Sequence, residues 1–287
     1  MNIVTDSGYD LSPQQLDRAK IHTLPLKLTL SGTTYRSGID IQSEEFYGLL
    51  ENTADMPITS TPSPGEFLEM YQQILKDDPE ILSIHISSGL SGTYNSAVTA
   101  AGQLPDAKIT LVDTRSLSAE MGWQVEAAAK AIEANWPLEN ILELMTKVRQ
   151  ATEMVFTLPD LSYLIHGGRI SHLKGLLASL LGIKPIIGVD KSTGKYADLA
   201  KSRTFKRAIQ AIPAYVAEKF PEGTRFKAQI GHADNPEGAA QLHEAADALI
   251  DCDWQPDCSI SPVLGAHTGR GLVGMVFAPI DRLPTLP

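Results

Sequence analysis

Leucine recurs at every second position from Leu24 to Leu30, with Lys27 and Thr29 among the residues between. A period of two predicts a strand with one buried face over 23–30. Short apolar runs predict further strands at 2–6, 81–86, 109–113, 154–158, 226–232, 259–264 and 273–277. Other stretches carry a helical period. From 138 to 150, Ile141, Leu142, Leu144, Met145 and Val148 fall on one side. Longer helices are predicted over 117–133, 203–219 and 237–250, and shorter ones after Ser43 and over 161–165. Ser12-Pro13 and Ser63-Pro64 read as helix starts, since serine caps the first free N–H groups and proline fits the first turn.

Strands alternating with helices across short loops predict a mainly parallel sheet with two covered faces in the first half. Such sheets bind ligands at the carboxyl ends of their strands, here near Asp6, Ser87 to Ser91 and Asp113. After Gln150 the texture changes. A glycine turn carries a cation at His166-Gly167-Gly168-Arg169, and 189–200 reads as two strands turning at Ser192-Thr193-Gly194. The most apolar stretch is 173–187, which suits a packed core helix or the wall of a pocket for a flexible chain.

Composition narrows the function classes. With 24 basic and 34 acidic residues the net charge is −10, which argues against nucleic-acid binding. An anion would have to be drawn by a local site. Cys252 and Cys258, five residues apart, make neither a zinc site nor a CxxC pair, so no metal is expected. The chain opens directly on a strand, with no export signal and no apolar run of spanning length, and is expected to be cytoplasmic.

The candidate chemistry centres on Ser87-Ser88-Gly89-Leu90-Ser91-Gly92-Thr93-Tyr94, a strand-to-helix loop of hydroxyls and glycines. Helix N-termini leave free N–H groups and favour negative charge, so the loop can hold a small anionic head. It reads equally as an ordinary turn capped by Ser91. It lacks a P-loop lysine, and Thr93 stands where a nucleophile elbow needs its second glycine. A second hydroxyl segment, Thr59-Ser60-Thr61-Pro62-Ser63, is stiffened by its prolines. His267, flanked by glycines and Thr268, is the histidine expected near the head. The others, His85 among them, read as surface or structural.

Six motifs in order carry a resemblance. They are Thr5-Asp6-Ser7, Thr59 to Ser63, Ser87 to Tyr94, Gly167-Gly168-Arg169-Ile170, Lys184-Pro185-Ile186 with Arg203, and His267-Thr268-Gly269-Arg270-Gly271. The chain resembles the DegV family over essentially its whole length. These are fatty-acid-binding proteins that present acyl chains to a fatty acid kinase. The resemblance implies two α/β domains, 1–152 with a mainly parallel sheet and 153–287 with a mixed sheet, and an acyl chain between them. It implies that Thr59 and Ser91 hold the carboxylate, with Ser60, Gly92, Arg203, His267 and Thr268 around it. Arg169 is assigned a structural or partner-docking role. No cofactor and no catalytic residue are implied; the partners are a long-chain fatty acid, the kinase and, transiently, a membrane surface. The departures from the family pattern are Thr61 for glutamine, Glu120 for glycine, and Arg270 for proline or glutamine.

Two other readings compete. A serine hydrolase would use Ser91 as nucleophile, His267 as base and Asp6 as orienter, although the elbow motif is absent. An enzyme acting on a phosphorylated small molecule at 87–93 would need a compact polar pocket.

Overall fold

A computed structural model describes residues 1–11, 21–173 and 182–287. The helix expected from Ser12-Pro13 and most of the apolar 173–187 stretch lie outside the described residues. The first half contains strands β1 (Asn2–Asp6), β2 (Ile21–Leu24), β3 (Lys27–Leu30), β4 (Thr33–Arg36), β5 (Ile58–Ser60), β6 (Glu80–His85) and β7 (Lys108–Asp113). Its helices are α1 (Ser43–Glu51), α2 (Pro64–Ile74), α3 (Thr93–Ala101), α4 (Ser118–Glu133) and α5 (Leu138–Ala151). The second half runs β8 (Glu153–Thr157), α6 (Ser162–His166), β9 (Lys184–Asp190), β10 (Lys195–Ser202) and α7 (Phe205–Lys219). It continues with β11 (Arg225–His232), α8 (Pro236–Asp247), β12 (Asp251–Trp254), β13 (Cys258–Ser259), α9 (Pro262–Thr268) and β14 (Val273–Pro279).

Strands β2-β1-β6-β7 form a parallel sheet. The second half forms a seven-stranded mixed sheet, β10-β9-β8-β14-β11-β12, with β13 also on β11. A small antiparallel sheet, β4-β3-β5, sits beside the first. The mainly parallel and mixed sheets are thus as expected, but two predicted strands are not. The 23–30 strand is divided between two sheets at Pro25 and Leu26, because proline has no N–H to continue a ladder. Its alternation survives the break: Leu24, Leu26, Leu28 and Leu30 are all buried. The predicted 259–264 strand is only two residues of β13 followed by α9, since Pro262 favours the first helical turn instead.

Three apolar layers result. Phe67, Tyr71, Ala97 and Ala100 pack α2 and α3 on one face of the parallel sheet. Ile209, Ile212, Val216 and Leu242 pack α7 and α8 on the outer face of the mixed sheet. The largest core joins Ile3, Leu82 and Ile84 of the first sheet to Met154, Phe156 and Val276 of the second. Helix α4 belongs to that core. Its Trp123 Nε1 donates to Gln229 Oε1 on β11 at 2.8 Å, and Lys227 Nζ stands 4.5 Å from the Trp123 ring centroid. Residues on both sides of 152/153 therefore share one interior. Among the described residues, no helix is long and apolar enough to cross a membrane.

Candidate functional site

Three segments converge where the sheets meet. β5 is an edge strand, and it puts Thr59 opposite Leu28. Beyond it, Ser63 caps α2 in a reciprocal box with Glu66, which fixes the exit of the stiff loop. Helix α9 carries His267 in its last turn, and His267 Nε2 lies 2.8 Å from Thr59 Oγ1. Ser91 comes from the loop after β6. Asp113 holds that loop by accepting from Ser88 N at 3.1 Å and Ser88 Oγ at 2.5 Å. The tip of the β9–β10 hairpin docks on it, where Ser87 Oγ donates to Gly194 O at 2.7 Å. Gly89 allows this approach: a Cβ there would stand 2.6 Å from Thr193 O. Ser91 Oγ accepts from Thr93 N at 3.3 Å and lies 2.8 Å from Thr93 Oγ1.

These segments line a partly open pocket whose polar lining is Thr59, Ser60, Thr61, Ser91, Arg169 and His267. A second cavity lies under α4, lined by Ala119, Met154, Phe156, Ile260, Leu272 and Val276 among others. Leu117, Tyr196 and Leu264 line both. One cavity is studded with hydroxyls; its neighbour is almost wholly apolar.

The electrostatics are local. Burial, and then the charges of Arg169 and His166, push the His267 imidazole down to about 3, so the ring is neutral at physiological pH. Its Nδ1 is buried and has no hydrogen-bond partner among the described residues. Arg169 is half-buried and donates to Gly167 O at 2.7 Å and Leu90 O at 3.3 Å. It ties the glycine turn to the residue before Ser91 while giving a net-acidic protein a cation at the cavity wall. Such a site can orient an anionic head by hydrogen bonds, and the adjoining cavity can take an alkyl chain. Among the described residues, no three His, Cys, Asp or Glu side chains are grouped to hold a metal.

A family model described as "Uncharacterised protein, DegV family" matches residues 1–279. The chain belongs to the DegV family. A DegV domain-containing protein of Staphylococcus aureus is 36% identical over 274 residues, 96% of this chain and 97% of that protein. The solved structure of a fatty-acid-binding DegV family protein from Thermus thermophilus is 30% identical with a TM-score of 0.85, covering 97% of this chain and 99% of that one. The Streptococcus pneumoniae Fatty Acid Kinase (Fak) B3 protein loaded with linoleic acid is similar in fold, with 23% identity, a TM-score of 0.79 and coverage of 97% and 100%.

In this DegV protein Thr59, Ser60, Ser91 and His267 come together at the polar cavity. Three expected neighbours of the head do not line it. Arg203 is exposed in the bend before the N-cap Thr204 of α7. Thr268 lines the apolar cavity, and its hydroxyl turns back to Leu264 O at 3.3 Å, as helical threonines do. Gly92 is exposed at the N-cap of α3. Arg169, expected to be structural or partner-docking, lines the cavity instead. Tyr196 was not singled out; the only signal for it was its place on the inward side of a short alternating hairpin.

The hydrolase constellation is not assembled. Asp6 Oδ2 lies 2.9 Å from His85 Nδ1, and His85 Nε2 lies 2.6 Å from Ser83 Oγ. Tyr71 OH reaches Ser83 Oγ at 2.7 Å, and Asp6, Ser83, His85 and Tyr71 are all fully buried. This chain of hydrogen bonds braces β1 against β6 and leaves no Asp6 carboxylate for His267. Of the departures, Thr61 lines the cavity, and Arg270 pairs with Glu51 at 2.7 Å and Asp234 at 2.5 Å. Glu120 is buried, accepts from Ser116 Oγ and pairs with Lys191.

Proposed function

We propose that this DegV protein binds a long-chain fatty acid and presents its carboxylate to a fatty acid kinase. The observation that carries the reading is the sharing of Leu117, Tyr196 and Leu264 between a hydroxyl-lined cavity and an apolar one. A fatty acid has the same two-part chemistry. Thr59, Ser91 and neutral His267 aim the head, Arg169 lends positive charge, and the alkyl chain lies under α4. Each buried methylene is worth about 0.8 kcal/mol, so a chain of ~14 methylenes offers roughly 11 kcal/mol before ordering costs. A hydrogen bond nets only about 0.5–1.5 kcal/mol. Affinity then comes from the apolar cavity, and the hydroxyls set orientation.

Hydroxyl contacts neutralise a carboxylate less than a bidentate guanidinium would. One oxygen stays nucleophilic enough to attack the γ-phosphorus of a nucleoside triphosphate held by the kinase; the bond from that phosphorus to the β–γ bridging oxygen breaks, the nucleoside diphosphate leaves, and an acyl phosphate remains. The chemistry belongs to the partner, and this chain supplies no catalytic residue. The apolar extension argues against a compact phosphorylated substrate. The halves 1–152 and 153–287 are, in this reading, units of topology rather than of independent folding.

Solvent extraction and mass spectrometry of protein purified from cells should find a bound long-chain fatty acid. Protein that stays ligand-free after incubation with palmitate or oleate would count against the reading. Ser91→Ala and Thr59→Ala should lower kinase-dependent acyl phosphate formation more than they lower chain binding, and equal losses would contradict that division of roles.

A further inference from the structure

We infer that Gly231 sets how long an acyl chain the apolar cavity accepts, with the Trp123–Gln229 pair as the stop beyond it. This rests on the fatty-acid reading. On the face of the mixed sheet under α4, Gly231 of β11 pairs with Gly274 of β14, which pairs with Phe156 of β8. Two neighbouring positions in that row have no side chain, and both glycines line the cavity. Phe156 packs over Gly274, and Ile260, which itself lines the cavity, packs over Gly231. In the next row of the same face, Gln229 pairs with Val276 and Val276 with Met154. There the Gln229 position is filled and fixed: its side chain accepts from Trp123 Nε1 at 2.8 Å and donates to Pro256 O at 2.9 Å.

The two glycines have different reasons to be glycine. A Cβ at Gly274 would stand 2.5 Å from Phe156 Cβ and 2.8 Å from Val155 O, so the backbone itself forbids it. At Gly231 the nearest atoms would be Ile260 Cδ1 at 3.1 Å and Cys258 Sγ at 3.4 Å, ends of side chains rather than backbone. Gly231 is also absent from the positive-φ glycines of the described residues. A glycine inside a strand weakens it, and neither backbone conformation nor backbone contact requires one here. Its missing side chain lets Ile260 lie back against the sheet instead of standing out into the cavity that both residues line, where the methyl end of the guest lies.

Delipidated full-length protein is titrated calorimetrically with laurate, myristate, palmitate and stearate. Gly231→Val, which pushes Ile260 into the cavity in place of about two methylenes of guest, should weaken palmitate and stearate about tenfold while leaving laurate within about twofold. Gly231→Ala, which needs only a small turn of the Ile260 methyl, should shift the series in the same sense by less, and it serves if the valine variant fails to fold. Equal weakening of all four acids, or no change in either variant, overturns the assignment of Gly231 while the fatty-acid reading stands. Wild-type protein that binds none of the four overturns both.

Discussion

Gly167→Ala should destabilise the protein chiefly through His267. Gly167 ends α6 with φ −70° and ψ −7°, a conformation alanine adopts freely. By backbone entropy the change should stabilise by about 0.4–1 kcal/mol. The added Cβ, however, would stand 2.1 Å from His267 Nδ1 and 2.9 Å from its Cε1. Non-bonded heavy atoms settle near ~3.5 Å, so the ring must retreat by roughly 1 Å or more. That retreat breaks the 2.8 Å contact with Thr59. Overpacking costs about 1–3 kcal/mol and the lost hydrogen bond about 0.5–1.5 kcal/mol. The net expectation is a loss of about 1–3 kcal/mol, or a midpoint lower by roughly 2–10 °C for a chain of this size. Thermal unfolding of Gly167→Ala, His267→Ala and the double variant measures the coupling directly. In the His267→Ala background the alanine at 167 should become neutral or stabilising. A single variant that melts higher than wild type, or a double variant whose losses simply add, would refute the argument.

Acid stability depends on two groups of opposite sign. His267 is held neutral down to about 3, so between its ordinary value of 6.5 and that point the unfolded chain binds a proton the folded one refuses, and stability falls as pH drops. Asp10 is buried and raised to about 6 by desolvation, against its hydrogen bonds from Ser118 and Ser261. Between 3.8 and about 6 the folded chain binds the extra proton, so Asp10 adds stability as pH drops. The two offset each other over that range, and Asp10→Asn should uncover a loss of about 1.4 kcal/mol per pH unit, read from denaturant midpoints. An unchanged slope would contradict this. Lys191→Met should cost about 3–5 kcal/mol, because it leaves the fully buried Glu120 without its ion-pair partner. Equilibrium unfolding should show the loss largely removed by adding Glu120→Gln, and a mild single variant would speak against the pair. Expressing 153–287 alone should give insoluble protein, since the sheet face under Trp123 would meet water; a soluble, cooperatively melting fragment would oppose that.

Most of the architecture could be read from periodicity, because strands with one buried face and amphipathic helices write their burial into the order of residues. The two errors both came at proline. Pro25 divides a perfect leucine alternation between two sheets, and Pro262 turns an apolar run into the helix that delivers His267. In each case the apolar pattern holds, and the missing proline N–H decides what the backbone does with it. At the site, Thr59, Ser91 and His267 were legible as hydroxyl and histidine motifs. Their meeting was not, since Thr59 and His267 are 208 residues apart in the chain. Arg203 was expected at the head and Arg169 in a structural or docking role, yet it is Arg169 that lines the cavity, because a sequence shows which cations exist and not which one the fold turns inward. The Asp6–His85–Ser83–Tyr71 chain had no sequence signal beyond polar residues within apolar strands.

The interior that Trp123 and Gln229 share has a bearing on how the molecule loses its structure. A chain with two sheets could melt in two steps, each sheet keeping its own counsel. Here the helix leaving the parallel sheet is also the lid of the mixed one, so neither sheet can come apart without stripping the other. Heat should find a single cooperative unit, and exchanging halves between relatives would succeed only where each half brings its own member of that indole–amide pair.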